Sequence, residues 1–190
     1  MNLHQIAEIR TGYAFRDRVR PSVDGDVMVL QMGDLARNES DQIVVLALPG
    51  LRTQQCVQAG DVIFRARGKN HLATVAPELF VRSQTVLAAP LMTLRPKAGQ
   101  VLPAYLEWFI NLPSTQRALS DLAGGTYVKT INKAALEMIE VPVPSLAKQK
   151  GIVEMSALAV KEHKILTRLA DAKAKQMERI LMHYAQDFPE

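Results

Sequence analysis

The feature that most constrains this sequence is a long C-terminal segment without helix-breaking residues. From Leu146 to about Tyr184, Gly151 is the only glycine or proline, and it stands near the start. Glycine and proline are the least favourable residues in a helix interior, so the segment predicts a single α-helix. At 1.5 Å per residue this helix would be roughly 55 Å long, more than a small domain needs to cover itself.

An apolar stripe follows the predicted helix. Its members recur at the three- and four-residue spacings that place side chains on one side of a helix. They are Leu158, Ile165, Leu166, Leu169, Ala172, Met177, Ile180 and Tyr184. Because an exposed apolar seam of that length is unfavourable in water, we expect it to contact another helix. The sequence contains no second copy of this pattern, so we predict an intermolecular helix pair.

The preceding residues have the pattern of one globular domain. Short β-rich runs separated by Gly, Pro, Asp and Asn predict strands at residues 27–32, 43–46, 61–64, 85–88 and 91–94. Helical spacing begins at Pro103 and at Pro113, and Asn132 can cap a short helical turn. The predicted fold class is α+β: a domain over residues 1–144 with a mixed β-sheet and short helices, then the long helix within residues 145–190.

The net charge of +4 lies in residues 1–150, which include Lys148 and Lys150 at the start of the predicted helix. Residues 151–190 contain six Lys or Arg and six Asp or Glu, which cancel, so the excess lies in residues 1–150. A basic domain is typical of a protein with a polyanionic partner, and a charge-balanced helix fits a protein partner. No apolar run is long enough to span a membrane, the N-terminus lacks a signal-peptide pattern, and Cys56 is the only cysteine. These features predict a cytoplasmic protein.

Motifs for catalysis are not apparent. Glu162-His163-Lys164 and Asp171-Ala172-Lys173 are acid-x-Lys triplets, but a metal-dependent nuclease needs such a triplet on a strand beside a second carboxylate. Both lie on the predicted helix. Gly124-Gly125-Thr126 matches no phosphate-binding loop, and the four histidines lack metal-ligand spacing. We therefore predict no catalytic centre, metal or cofactor in this chain.

A cluster of polar residues follows the strand predicted at residues 61–64. It contains Arg65, Arg67, Lys69, Asn70 and His71. Arginine and lysine can contact phosphates or the acceptor edge of guanine, and asparagine can pair with adenine. The cluster therefore predicts a DNA-binding turn, although an exposed basic turn without a ligand would have the same composition.

Four motifs, in this order, extend over nearly the whole chain. The first is Ile6-Ala7-Glu8-Ile9-Arg10-Thr11-Gly12-Tyr13-Ala14-Phe15-Arg16, and the second is Gly60-Asp61-Val62-Ile63-Phe64 with Arg67-Gly68. The third is Gly125-Thr126-Tyr127-Val128-Lys129-Thr130-Ile131-Asn132 with Leu136 and Ile139-Glu140-Val141-Pro142-Val143-Pro144, and the fourth is Gln149 with Ile152. In this order and spacing the sequence resembles the specificity (S) subunit of type I restriction–modification systems.

The resemblance implies a non-catalytic target recognition domain followed by a helix that acts as spacer and docking surface. The implied partners are double-stranded DNA, a methyltransferase (M) subunit that binds S-adenosylmethionine, and, where the system has one, a restriction (R) subunit. Base-contacting residues of this family differ with the target, so we choose candidates by chemistry and position. Four more candidates near the motifs are Arg16, Arg18, Tyr127 and Lys129.

The sequence departs from the family pattern in two respects. Lys148 stands where an acidic residue usually precedes the glutamine that opens the helix, which affects only the local helix start. More importantly, a full-length subunit has two domain-plus-helix halves, and this chain matches one half. We expect such a half-size subunit to dimerise or to pair with another half.

Two other functions are compatible with parts of the sequence. A protein-only adaptor or remnant would keep the helix and its partner while its domain no longer binds specific DNA. A small nuclease or methyltransferase would need the carboxylate, metal or cofactor motifs that the sequence lacks. The basic turn at residues 65–71 favours the DNA-binding interpretation over both.

Overall fold

The computed structural model describes residues 1–15, 25–34, 44–46, 51–125 and 128–186. These residues form two compact units, Met1–Lys150 and Gly151–Glu190. The first unit contains two β-sheets and five short α-helices among its described residues, and the second is helical. This arrangement confirms the α+β class.

The larger sheet has four antiparallel strands in the order β1-β7-β4-β5. The strands are β1 (Ala7–Thr11), β4 (Val62–Arg65), β5 (Ala73–Val75) and β7 (Leu91–Pro96). In β4 and β7 the successive residues are buried except near their C-terminal ends. A strand that is buried on both faces has a nearly continuous apolar sequence, and for this reason β4 and β7 could be predicted. The edge strands β1 and β5 were not predicted.

The smaller sheet has three strands in the order β3-β2-β6. These strands are β2 (Val27–Leu30), β3 (Val44–Leu46) and β6 (Thr85–Leu87). Strand β2 pairs antiparallel with β3 and parallel with β6. The mixed pairing predicted for the domain therefore belongs to this sheet, whereas the larger one is purely antiparallel.

Short helices connect and cover the sheets. They are α1 (Leu3–Ile6), α2 (Glu78–Arg82), α3 (Pro103–Asn111), α4 (Pro113–Leu122) and α5 (Lys133–Glu137), with a 3-10 turn at Thr53–Gln55. Both α3 and α4 begin with proline, which has no N–H to leave unpaired in the first turn. The Asn132 side chain accepts a 2.8 Å hydrogen bond from the Ala135 N–H, which confirms it as the cap of α5.

The two sheets meet at Gly12 and Tyr13. The Gly12 N–H donates to the Leu91 carbonyl at 2.8 Å, and the Tyr13 N–H donates to the Leu87 carbonyl at 2.7 Å. A Cβ atom on Gly12 would lie 2.8 Å from backbone atoms of Leu87, Ala88 and Leu91. Only glycine therefore allows the chain leaving β1 to approach the backbone between β6 and β7 so closely.

A buried ion pair joins the start of β4 to the end of β7. Arg95 donates from Nε and Nη2 to the two carboxylate oxygens of Asp61, at 2.7 Å each, and the Asp61 side chain is fully buried. Asp61 also accepts from the Gln58 N–H at 2.8 Å. The hydrogen bond to Asp61 raises the pKa of Arg95, which keeps the guanidinium charged. Removal of either partner would leave the other poorly compensated.

The predicted long helix is α6 (Leu146–Gln186), of 41 residues. Its first turn is held by Gln149, a fully buried side chain. Gln149 accepts from the Leu102 N–H at 2.8 Å and donates to the carbonyls of Gln100 and Pro144 at 3.0 and 2.8 Å. The glutamine of the fourth motif thus fastens the start of α6 to the loop before α3.

Beyond its first turns, α6 is exposed. The members of the predicted stripe are all exposed, from Ile180 at 40% to Tyr184 at 69% for the large side chains. In the described part of the chain, no helix is both long and apolar enough to cross a membrane. Both acid-x-Lys triplets lie on exposed turns of α6.

The contact at Gly12 leads to the first prediction. Gly12→Ala should lower the free energy of unfolding by about 1–3 kcal/mol, because its Cβ has to displace backbone rather than a flexible side chain. Gly33→Ala is the matched control, since a Cβ there meets no atom of the described residues within 4 Å. Chemical denaturation of both variants checks this. Equal stability of the two variants would contradict the close approach.

Candidate nucleic-acid interface

The predicted basic turn connects β4 to β5. Arg65 is the last residue of β4, and the turn continues to Leu72 before β5 begins. The side chains of Arg67, Lys69 and Asn70 are exposed, and within the described residues they form no hydrogen bond or ion pair. Two cations and one amide are therefore available to a ligand at this turn.

A second segment lies alongside the turn. Arg67 and Thr130 form an antiparallel bridge, in which the Gly68 N–H donates to the Lys129 carbonyl at 3.1 Å. The Ile131 N–H donates to the Ala66 carbonyl at 2.8 Å. The second and third sequence motifs, about 60 residues apart in the chain, are thus neighbours in the fold.

This pairing brings another cation to the turn. Lys129 is exposed, and its Nζ donates to the carbonyl and the hydroxyl of Ser120 at 2.9 Å each. We name the exposed residues Arg67, Lys69, Asn70 and Lys129 the basic surface. Lysine and arginine suit phosphates, and asparagine suits a base edge, so the basic surface has the chemistry of a nucleic-acid contact.

Two glycines allow the backbone beneath the basic surface to turn tightly. Gly68 has a φ of +126°, and Gly125 has a φ of +109°. A Cβ atom on Gly125 would also lie 2.6 Å from the Val128 carbonyl oxygen. Residues with a Cβ are strained in this conformation, which explains glycine at both motif positions.

His71 does not belong to the basic surface, contrary to the prediction. Its side chain is buried, at 1% exposure, and its ring stacks on Phe64 with centroids 6.3 Å apart. Its Nδ1 lies 3.3 Å from the Arg65 carbonyl oxygen, and within the described residues Nε2 has no hydrogen-bond partner. Burial lowers the pKa of His71. A buried neutral imidazole supports the turn from below and is not available to DNA.

The other predicted residues differ in position. Arg65 is half-buried, with its Nε enclosed and without a partner among the described residues, so it is less available than Arg67. Arg16, Arg18 and Tyr127 lie outside the described residues. In the described part of the chain, no group of three or more His, Cys, Asp or Glu could hold a metal ion.

Two amide side chains that the sequence did not single out hold the region in place. Gln116 on α4 accepts from the His71 N–H at 2.9 Å and donates to the His71 carbonyl at 2.8 Å. Asn111 at the end of α3 makes the same pair of bonds with Ala73, at 2.9 and 2.8 Å. Each amide thus forms two hydrogen bonds with the main chain of one residue, as a residue of a neighbouring strand would, at the segment that leads into β5. A glutamine or asparagine on a helix is common, so no sequence signal marked them.

Burial of His71 makes stability depend on pH. Because its folded-state pKa lies below the ordinary value of about 6.5, the unfolded chain binds the proton more readily. The contribution of neutral His71 is fully present above about pH 6.5 and is lost as pH falls towards the folded-state pKa. The free energy of unfolding should therefore fall between pH 7 and 5.5, by at most about 1.4 kcal/mol per pH unit from this group.

His71→Gln should remove that part of the pH dependence, measured by chemical denaturation at pH 7.5 and 5.5. His163→Gln, which changes an exposed histidine on α6, is the control and should keep the wild-type slope. A His71→Gln variant with the full wild-type slope would show that His71 does not titrate as its burial requires.

Solved structures with this fold share low sequence identity with the chain. The HsdS subunit from Thermoanaerobacter tengcongensis superposes with a TM-score of 0.71 at 18% identity, covering 97% of this chain and 44% of that one. The S subunit from M. genitalium gives a TM-score of 0.56 at 12% identity, covering 92% of this chain and 42% of that one. These similarities show the fold, and this chain spans less than half the length of either structure.

Sequence comparisons give the same family. The specificity subunit of the type I restriction enzyme StySPI from Salmonella potsdam is 30% identical over 95 residues, which are 49% of this chain and 19% of that protein. The family model of the type I restriction modification DNA specificity domain matches residues 1–159. That match includes both sheets, the basic surface and the start of α6. The chain therefore belongs to the type I restriction–modification DNA specificity family.

Proposed function

We propose that this chain is a non-catalytic DNA-recognition subunit whose basic surface binds one half of an interrupted target. The observation that carries the proposal is the pairing of residues 66–68 with residues 129–131. It brings the exposed residues Arg67, Lys69 and Lys129 close together in the backbone, although Lys129 lies about 60 residues further along the chain. We expect the ligand to be cytoplasmic DNA, because its phosphates suit the exposed cations and because the chain belongs to a DNA specificity family.

We expect the side chains of the basic surface to make two kinds of contact with DNA. Cations that contact phosphates supply affinity that is independent of sequence and decreases with salt. Side chains that contact base edges supply discrimination, and Asn70 and the arginine are suited to adenine and guanine respectively. Arg16, Arg18 and Tyr127, which lie outside the described residues, remain further candidates for DNA contacts.

Removal of three cations tests the proposal. Replacement of Arg67, Lys69 and Lys129 together by Ala should weaken binding to all DNA duplexes, because phosphate contacts are lost. The slope of log affinity against log salt concentration should become smaller in magnitude by about two to three. Fluorescence anisotropy with a labelled duplex at several salt concentrations measures both effects.

The control removes the same charge elsewhere. Lys164, Arg168 and Lys175 are exposed on α6 outside its apolar stripe, and their joint replacement by Ala should leave the salt dependence unchanged. If the two triple variants bind DNA equally well, the basic surface is not the binding site. Absence of DNA binding by the wild-type protein would favour the protein-only adaptor, which the exposed stripe on α6 also fits.

The stripe on α6 supports a second part of the proposal, which concerns partners. We infer that two copies associate through their helices as a homodimer, unless a different half-subunit takes the second place. The exposed fractions of Leu158, Leu166 and Leu169 are 66, 56 and 51%, and a paired helix would cover them. An M subunit that binds S-adenosylmethionine would dock on the assembly and methylate the DNA, and an R subunit would cleave it where the system has one.

A two-fold symmetric dimer has a consequence for the target. Two identical domains related by a two-fold axis contact the same bases on opposite strands. With an antiparallel helix pair the two domains would lie at opposite ends of the pair. The target should therefore be an interrupted inverted repeat whose gap is set by the helices.

Insertion of seven residues near Ala172 tests this arrangement. Seven residues keep the apolar stripe in phase and add about 10 Å of helix, which corresponds to about three base pairs of gap. Methylated sites, mapped after reaction of the M subunit with each version of this chain, should show the longer gap. The M subunit alone should give no site-specific methylation. An unchanged gap, or a wild-type target with unrelated halves, would contradict the symmetric homodimer.

A further inference from the structure

The Gln116 side chain makes three hydrogen bonds to main-chain atoms, two of them to His71 in the basic turn. Its Oε1 accepts from the His71 N–H at 2.9 Å. Its Nε2 donates to the His71 carbonyl at 2.8 Å and to the carbonyl of Ile110, near the end of α3, at 2.9 Å. The amide thus connects the end of α3 to His71, near the end of the basic turn.

We propose that Gln116 is a positioning residue for DNA recognition, which sets the backbone of the basic turn without contacting DNA itself. The inference rests on the proposed function, because it assigns the cause of discrimination at that same surface. The turn from Arg67 to Asn70 is held at its start by the bridge to Thr130 and at its end by Gln116. Between these two attachments its exposed side chains have no other described support.

Discrimination between bases depends on such support. A hydrogen bond to a base edge weakens steeply when donor and acceptor leave their favoured distance and angle. Phosphate contacts tolerate displacement much better, because they depend mainly on charge and distance. A loosened turn should therefore lose discrimination while it keeps most of its general affinity for DNA.

His71 adds a second contact that depends on the position of Gln116. With the backbone of His71 fixed by the amide, the imidazole lies in the space beside Phe64 and its Nδ1 reaches the Arg65 carbonyl at 3.3 Å. The end of the turn is thereby connected to its beginning. Loss of the Gln116 amide would remove both hydrogen bonds to the His71 backbone, whereas the hydrogen bond from the Arg65 N–H to the Leu72 carbonyl at 2.9 Å would remain.

Asn111 provides a matched control from the same region. It makes the same two-bond amide contact, but with Ala73, which lies in β5 beyond the turn. Gln116→Met and Asn111→Leu both remove an amide and keep a side chain of similar size. Both should lower the melting temperature by a comparable amount, whereas only Gln116→Met should affect base discrimination.

The experiment begins with the wild-type protein and a library of random-sequence duplexes. Selection gives a consensus duplex, and a scrambled duplex of the same composition serves as reference. The ratio of the two affinities is the discrimination, measured by anisotropy well below the melting temperature of each protein. Gln116→Met should lower the ratio about tenfold, the value of one good base contact, with little change in affinity for the scrambled duplex. Asn111→Leu should keep the wild-type ratio.

Gln116→Glu is a second variant of the same length, in case Gln116→Met does not fold. Its carboxylate can still accept from the His71 N–H but cannot donate to the two carbonyls, so the ratio should again fall. A wild-type ratio in a folded Gln116 variant would overturn the inference, as would equal losses of ratio in the Gln116 and Asn111 variants. A wild-type protein that selects no consensus would instead overturn the proposed function.

Discussion

Strand β7 is the element on which the arrangement of the domain depends, because it pairs with both β1 and β4. These ladders place the first and second sequence motifs on either side of one strand. The ion pair of Arg95 on β7 with buried Asp61 fixes the start of β4, and Gly12 closes the contact with the smaller sheet. The basic turn then emerges from a strand that is held along its full length.

Local chemistry made much of the fold predictable. Proline at the first positions of α3 and α4, the Asn132 cap and the uninterrupted segment of α6 depend on neighbouring residues only. Strands β1 and β5 were missed because edge strands have little continuous apolar sequence. Strand β5 has only three residues, of which one is buried, and it owes part of its support to Asn111.

The candidate site shows the limit of the same reasoning. Lys69, Asn70 and His71 are consecutive polar residues in a turn, and nothing local distinguishes the buried histidine from its exposed neighbours. Its ring stacks on Phe64, and its backbone is bound by Gln116, which lies 45 residues further along the chain. The approach of Lys129 depends on a backbone bridge of comparable separation. Contacts of this kind follow from tertiary packing and leave no periodic pattern in the sequence.

The contacts that shape the basic surface come mainly from the backbone. The bridge to residues 129–131, the positive φ of Gly68 and the amide of Gln116 all act on main-chain atoms. None of them uses the side chains of Arg67, Lys69 or Asn70. The conformation of the turn is therefore largely independent of the residues that it presents to solvent. A scaffold with this property can carry different side chains at a DNA contact, and hence different base preferences, without a large cost in folding stability.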